Sequence, residues 1–476
     1  MPTSGPSRYE RRRPEETVLY RVLRDHLATF LERVSDTSLP GFVVRELRDF
    51  LDCGQLDRGF VRVFCHVCRD DLIVGLSCKH RGFCPSCCGR RMNQLAAHVV
   101  DRVIPKTPVR QWVVSLPSRL IGLVAFDPDL LGAILRATLR AIAAHYRRAA
   151  CGLGIPDGRS GAFTSIQRFA SSLQLYPHFH ILALDGVYSE RVDAPPVFHR
   201  APRLSIPDVE RVVEDIERRA TRVLARRGLL DGCDAPGSDS SDQPVLHLAP
   251  GRLVRRRARR SGGGRRRRLA AKTERGYDLH AGTRVRAGRR GDLEQLIRYI
   301  LRPPIAADAL SLTETGEVEV RLKSPRSDGT VAIRYAPLAF IGRLACLVPR
   351  PRRHLVRYSG VLAPNAKLRS AIVPAPPAAR SCRRDPRTRG STTYLPWALM
   401  LRRTFKFDLL VCERCGGRRS VLAAVLAPHT VRTILGHLGL ATTRERVRAA
   451  RGPPDRPEPW DEDQRVNLPD DDDVAA

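Results

Sequence analysis

With 476 residues, 82 Lys and Arg against 50 Asp and Glu, and a formal charge of +32, the chain is long enough for two or three domains and is charged as a polyanion binder. It has no run of about 18 apolar residues, which excludes a membrane-spanning helix, and its polar start, "MPTSGPSRYERRRPEE", lacks the apolar core of a secretion signal. An intracellular, reducing compartment follows, where clustered cysteines serve as metal ligands rather than disulfides. Codon bias toward Arg is an alternative source of part of the charge.

In chain order, residues 15 to 52 predict helices. Val18, Leu19, Val22, Leu23, Leu27 and Leu31 recur near the helical period, and "GFVVRELRDFL" repeats the pattern after Pro40. "RQWVVSLP" (110–117) predicts a buried strand ended by Pro117, and 129–149 an amphipathic helix with Asp127 or Asp129 near its start. Phe163 to Phe169 and Leu175 to Leu184 predict two strands. The second is apolar on both faces apart from its histidines and belongs in the middle of a sheet. Asp185-Gly186 reads as a turn, 207–228 as helix and 231–275 as low in order, with the basic tract "RRRARRSGGGRRRR" inside it as either a phosphate-gripping arm or a solvated insertion. A short helix over 291–304, stopped by Pro303 and Pro304, precedes a β-rich stretch near 317–335. The acidic end, "DDDDVAA", reads as disordered.

Cys65, Cys68, Cys84 and Cys87 form a C-x2-C-x15-C-x2-C frame, the spacing by which two short knuckles offer four thiolates to a structural zinc ion. Cys78, His80 and Cys88 stand nearby as substitutes. Free buried cysteines are the bland alternative. Cys412 and Cys415, followed by Gly416-Gly417, make half of a second frame, which is either closed by cysteines brought near in space or vestigial.

His178 and His180 lie two apart in "YPHFHIL", so on a strand both imidazoles project from one face. They read either as satisfied core residues or as ligands of one divalent ion that leave room for substrate oxygens. A hairpin around 170–174 would bring Gln167, a source of a hard amide oxygen, beside them. Tyr299 sits next to the apolar stripe of the 291–301 helix, either as an ordinary helix residue or as a nucleophile toward a metal-polarised phosphate. Arg302, three residues on, would hold a phosphate oxygen.

Taken in this order, "FCHVC…LSCKHRGFCPSC", "SIQRFASSLQLYPHFHILALDGVY" and "LHAGTRVRAG…LIRYILRPPIA" resemble the rolling-circle transposases of the insertion sequence 91 family, which carry the HUH nuclease motif. The resemblance runs from about residue 12 to 345 and more weakly to about 425. It implies an α+β fold, with an HUH-type antiparallel sheet and packed helices at 106–345, preceded by a small helical and zinc-ribbon-like domain at 12–105. A C-terminal region at 346–430 and a tail at 450–476 would follow. It also implies metal binding by His178 and His180, Tyr299 as the nucleophile, Mg2+ or Mn2+ as the catalytic ion, and single-stranded DNA at the element ends and target as the partner. A 5′-phosphotyrosine intermediate, an association of like chains and a place on the bacterial nucleoid belong to the same expectation. Some relatives carry a second tyrosine four residues on; here that position is Pro303. The alternatives are a zinc-dependent DNA-binding protein without catalysis and a decayed transposase copy.

Overall fold

The computed structural model describes residues 12–35, 39–229, 251–255, 269–326, 328–374, 397–405, 408–444 and 447–450. Helix α1 (Val18–Arg33) is capped by Thr17, whose hydroxyl accepts from the Tyr20 amide at 3.2 Å, and α2 (Gly41–Asp52) starts after Pro40. Both bury the apolar stripes that their sequence period requires. Strands β1 (Phe60–Cys65) and β2 (Asp71–Gly75) make a hairpin, and α3 (Pro85–Arg102) begins at Cys84, with Pro85 in its first turn where a missing N–H is harmless.

Then come β3 (Val109–Ser115), α4 (Ser118–Phe126), α5 (Pro128–Cys151), β4 (Gly161–Phe169), β5 (Leu175–Leu184), the hairpin of β6 (Gly186–Arg191) and β7 (Ala194–Arg200), and α6 (Ile206–Ala225). The Asp127 carboxylate accepts from the first amides of α5, and Ser205 with Asp208 forms a capping box on α6. Short strands β8 (Arg252–Arg255), β9 (Ala270–Lys272), β10 (Asp278–His280) and β11 (Arg284–Val285) lead to α7 (Arg290–Ile300). The chain continues through β12 (Leu310–Leu312), β13 (Val318–Arg321), β14 (Thr330–Tyr335), α8 (Pro337–Leu347), β15 (Val356–Gly360), α9 (Arg369–Ile372), α10 (Trp397–Phe405), β16 (Arg419–Val425) and α11 (Pro428–His437).

The architecture is α+β, with antiparallel sheets. The largest sheet runs β15-β4-β5-β3-β10-β9, with β11 also on β3. Alternation along β5 divides its two faces. Phe179, Ile181 and Ala183 join Trp112 and Val114 of β3 in a core covered by α5 and α6. Leu182 and Leu184 point the other way, with Phe163 of β4, and meet Val99 and Val100 of α3 and Leu293, Ile297 and Ile300 of α7. His178 and His180 occupy this second face, between the sheet and α7.

Two boundaries differ from the sequence expectation. Residues 252–255 and 270–272, expected within a low-order insertion, are strands. Leu253 of β8 pairs with Ile333 of β14, and β9 pairs with β10, so each end of the segment finds a ladder that local sequence does not announce. Residues 230–250 and 256–268, with most of the basic tract, and the tail from 451 lie outside the described residues. The expected C-terminal region at 346–430 is divided between two sheets: β15 forms an edge of the large one, and β16 pairs with β1 to complete a three-stranded sheet, β16-β1-β2.

Asp185, expected in a turn, lies at the bend between β5 and β6, and its carboxylate is buried there between two arginines. Arg110 Nε donates to one of its oxygens at 3.0 Å and Arg284 Nε to the other at 2.5 Å. Gly186 follows because a Cβ there would lie 2.2 Å from the His199 carbonyl oxygen. Breaking such a group leaves buried guanidinium charge uncompensated, so Asp185→Ala is expected to lower unfolding free energy by roughly 3 kcal/mol in a urea titration.

Candidate active site and metal centres

His178 and His180 are both almost wholly buried, at 3% and 2% exposure, and their Nε2 atoms stand 3.1 Å apart. The backbone fixes one tautomer. His178 Nδ1 lies 2.9 Å from the Tyr176 carbonyl oxygen, which only accepts, so Nδ1 carries the proton and Nε2 presents a lone pair. His180 Nδ1 meets the side-chain amide of Gln111 at 2.9 Å. Gln111 lies on β3 opposite Leu182, on the same face as the histidines. A flip of its amide lets it accept from His180 Nδ1–H and free the second Nε2. Burial lowers the pKa of His178 to about 4 and that of His180 well below the usual value, with Arg302 adding to both shifts, so both rings are neutral at physiological pH.

Two neutral imidazoles at this separation suit adjacent positions of an octahedral divalent ion, where donors about 2.1 Å from the metal lie about 3.0 Å apart. Among the described residues, no Asp, Glu, Cys or third His completes a ligand cluster with them. Gln167 does lie beside them, paired with His178 across the β4/β5 ladder. Its Nε2 donates to the Ile300 carbonyl at 2.5 Å, and its buried Oε1 has no hydrogen-bond partner. That donor ties β4 to the last turn of α7, where a carbonyl has no partner within the helix. The remaining oxygen is a hard donor of the kind Mg2+ and Mn2+ prefer.

Tyr299, half-buried on α7, faces the pair, its ring centroid 6.5 Å from that of His180. Two cations surround it. The Arg302 guanidinium lies 5.0 Å from the ring centroid and Lys323 Nζ 4.3 Å, with Nζ donating to the phenolic oxygen at 3.3 Å. Pro303 lies beyond the helix end, so α7 carries one tyrosine. A second brace holds the helix from outside: Glu294 binds both Arg298 of α7 and Arg403 of α10, and Arg403 also pairs with Asp101 of α3. The sequence reading missed Gln111 and Lys323. Gln111 lies on a strand that it correctly predicted, two residues from Val113, the ladder partner of His180.

The cysteine frame is corrected. Cys65, Cys68, Cys84 and Cys87 do not converge. Cys84 and Cys87 join Cys53 and Cys78, with sulfur separations of 3.6 Å (Cys53–Cys84), 3.7 Å (Cys53–Cys87) and 3.4 Å (Cys78–Cys87). Cys65 and Cys68 join Cys412 and Cys415, with Cys65–Cys415 at 3.5 Å and Cys68–Cys412 at 3.6 Å. Tetrahedral zinc with Zn–S bonds of about 2.3 Å sets its sulfurs about 3.8 Å apart, so both quartets have the size of a closed structural site. The reason for the interleaving is geometric. Cys65 and Cys68 turn at the end of β1, whose ladder partner is β16, so the knuckle before β16 is their neighbour. Cys84 and Cys87 start α3, where the helix dipole favours thiolates. At this first site Arg12 lies 3.4 Å from Cys53 Sγ and offsets the excess charge of four thiolates.

Of the three nearby substitutes, Cys78 joins the first quartet, and the other two are engaged by their own bonds. His80 is held by Glu46 and, at 2.7 Å, by Asp49, which together raise its pKa to about 9 against the effect of burial. Cys88 bonds the Gly82 carbonyl, and burial pushes its thiol up to about 12.

Residues 161–369, which hold the histidine strand and the tyrosine helix, match the family model described as "Putative transposase", and residues 22–116 match the transposase zinc-binding domain of insertion sequence 91. The chain belongs to the insertion sequence 91 transposase family. No curated protein and no solved structure gives a significant match. As a transposase the protein acts on DNA, and the zinc of its N-terminal domain is structural. Cys412 and Cys415 lie outside both matched stretches. No helix among the described residues is long and apolar enough to cross a membrane.

Elemental analysis of the transposase is expected to find two zinc ions per chain. Cys412→Ser/Cys415→Ser should retain one and make the segment around β16 and α11 sensitive to protease, while Cys84→Ser/Cys87→Ser should lose the other and unfold the N-terminal helices.

Proposed function

We propose that this transposase is an HUH nuclease that moves its element by a rolling-circle reaction on single-stranded DNA, with Tyr299 as the nucleophile. The observation that carries the reading is the juxtaposition of two neutral, buried imidazoles, 3.1 Å apart on β5, with the phenol of α7 and its flanking cations. A purely structural role would not require two desolvated rings with converging Nε2 atoms. Nor would it require an unpartnered amide oxygen beside them.

A divalent ion, Mg2+ or Mn2+, held by His178, His180 and Gln167, would polarise the scissile phosphate and neutralise part of its charge. The chain's own groups do the rest. Arg302 and Lys323 stand where they can bind the non-bridging phosphate oxygens and stabilise the charge that develops during attack. Tyr299 Oη forms a bond to phosphorus as its proton leaves. The bond from phosphorus to the 3′ oxygen breaks, and that oxygen takes up a proton. The 5′ phosphate stays on tyrosine. One phosphodiester replaces another, so a 3′-OH at the target can reverse the step and join the strands without an external energy source. Element ends and target are the strands cut and joined. With a single tyrosine on α7, the two transfers must be sequential or shared between two chains.

A covalent protein–DNA adduct on a denaturing gel tests the reading. With Mn2+ and single-stranded terminal DNA of the element, the wild type is expected to form it, and Tyr299→Phe and His178→Ala/His180→Ala are expected to form none. An adduct that survives in Tyr299→Phe, or its absence from the wild type on every terminal strand, would overturn the assignment. Gln111→Leu, which removes the support of His180, should still form the adduct but raise the Mn2+ concentration needed by roughly 10- to 100-fold.

A further inference from the structure

A cavity of about 420 Å³ opens beside the tyrosine helix, at the seam between the zinc-bearing N-terminal region and the large sheet. One wall is α3, with Met92, Leu95 and His98. The other is built from β4 and β15, with Phe169, Val356 and Tyr358. Its floor reaches Gln167, the end of α7 at Ile300 and the following Leu301 and Arg302, so it adjoins the site that would hold the scissile phosphate. Arg81, Arg91 and Arg302 belong to its lining. Arg81 donates to the carbonyls of Arg350 and Arg353 and so fixes the wall, while no carboxylate pairs with Arg302 among the described residues.

The lining combines flat apolar surface with a few unsatisfied polar atoms. His98 Nδ1 and Gln167 Oε1 are buried and have no hydrogen-bond partner. Apolar faces with a polar edge are what a nucleobase presents, and the arginines suit the phosphates on either side of it. The volume falls in the range of about 300–1,000 Å³ that holds one small ligand, too small for a base pair with its two backbones.

We infer that this cavity receives one unstacked base of the single strand, next to the scissile phosphate, so that α3 of the zinc-bearing region takes part in reading DNA sequence. The inference rests on the proposed action on single strands. Phe169 and Tyr358 offer the stacking surface, His98 Nδ1 an edge contact, and Arg91 and Arg302 the flanking phosphate contacts, while Gln167 Oε1 stays with the proposed metal. Base stacking on aromatic side chains accounts for roughly tenfold in affinity per base.

The test measures binding of the full-length, zinc-loaded chain without Mg2+ or Mn2+, so that no bond is cut. Two probes of equal length are compared: a mixed-sequence single strand and a strand of abasic phosphodiesters. The wild type is expected to bind the first roughly tenfold more tightly. Leu95→Trp, which fills the cavity, should bind both alike while keeping its zinc and melting temperature. If that variant fails to fold, a strand with a single 5-iodouracil, irradiated on the wild type, is expected to cross-link to Met92, His98, Phe169 or Tyr358 at one strand position. Equal affinity of the wild type for both probes, or cross-links confined to other surfaces, overturns the inference. A chain that forms the Tyr299 adduct but does not distinguish the probes refutes the pocket and leaves the reaction standing. A chain that distinguishes them but forms no adduct does the reverse.

Discussion

The close pair of Nε2 atoms on β5 sets the terms for everything packed around it. Two imidazoles held 3.1 Å apart in a dry interior are affordable only as neutral rings with their outer nitrogens satisfied, and the Tyr176 carbonyl and Gln111 amide do this. That arrangement needs β3, β4 and β5 in strict register, because a slip of one residue would turn both rings toward α5 and α6. It also needs a lid on the ring face. Helix α7 provides it, locked by the Gln167 amide at its last turn and by Glu294 and Arg403 along its side. Tyr299, the proposed nucleophile, is thus carried on an element with two independent anchors, which is the rigidity that alignment of a phosphate would require.

The two cysteine quartets act on the chain at a larger scale. Cys68 and Cys412 are 344 residues apart in sequence. Closing so long a loop costs about 5 kcal/mol from its length alone, whereas a structural zinc site contributes about 10–16 kcal/mol. A zinc ion in this quartet would therefore outweigh the closure cost and tie the strand β16 to the N-terminal region, where the β1–β16 ladder already holds it. The path back from that site runs through α10, whose Arg403 holds Glu294, five residues before Tyr299.

Much of this was legible in the sequence because it is local. The strand Leu175–Leu184, the helix that carries Tyr299 and the shared face of His178 and His180 follow from periods of two and 3.6 residues. Gln167 as their neighbour followed from a short hairpin. The zinc pairing was not legible, because C-x2-C spacing identifies knuckles and not which knuckles meet. That choice is made by the β1–β16 ladder, between segments some 350 residues apart. Cys53 stands alone at the end of α2 and carries no spacing signal. Gln111 and Lys323 escaped notice for a related reason: nothing in "RQWVVS" or "VRLKSP" marks a side chain whose role exists only once another strand or helix lies against it. Helix α4 was missed because "SRLIGLVAF" is apolar almost all round and shows little period.

The central claim is that His178 and His180 form a divalent-metal centre facing Tyr299. Electron spin echo spectroscopy of the protein loaded with Mn2+ tests it most directly, since imidazole nitrogens bound to manganese modulate the echo decay. The account predicts modulation from two directly bound nitrogens that disappears in His178→Ala/His180→Ala. An echo that shows bound Mn2+ with only water and oxygen ligands would contradict it.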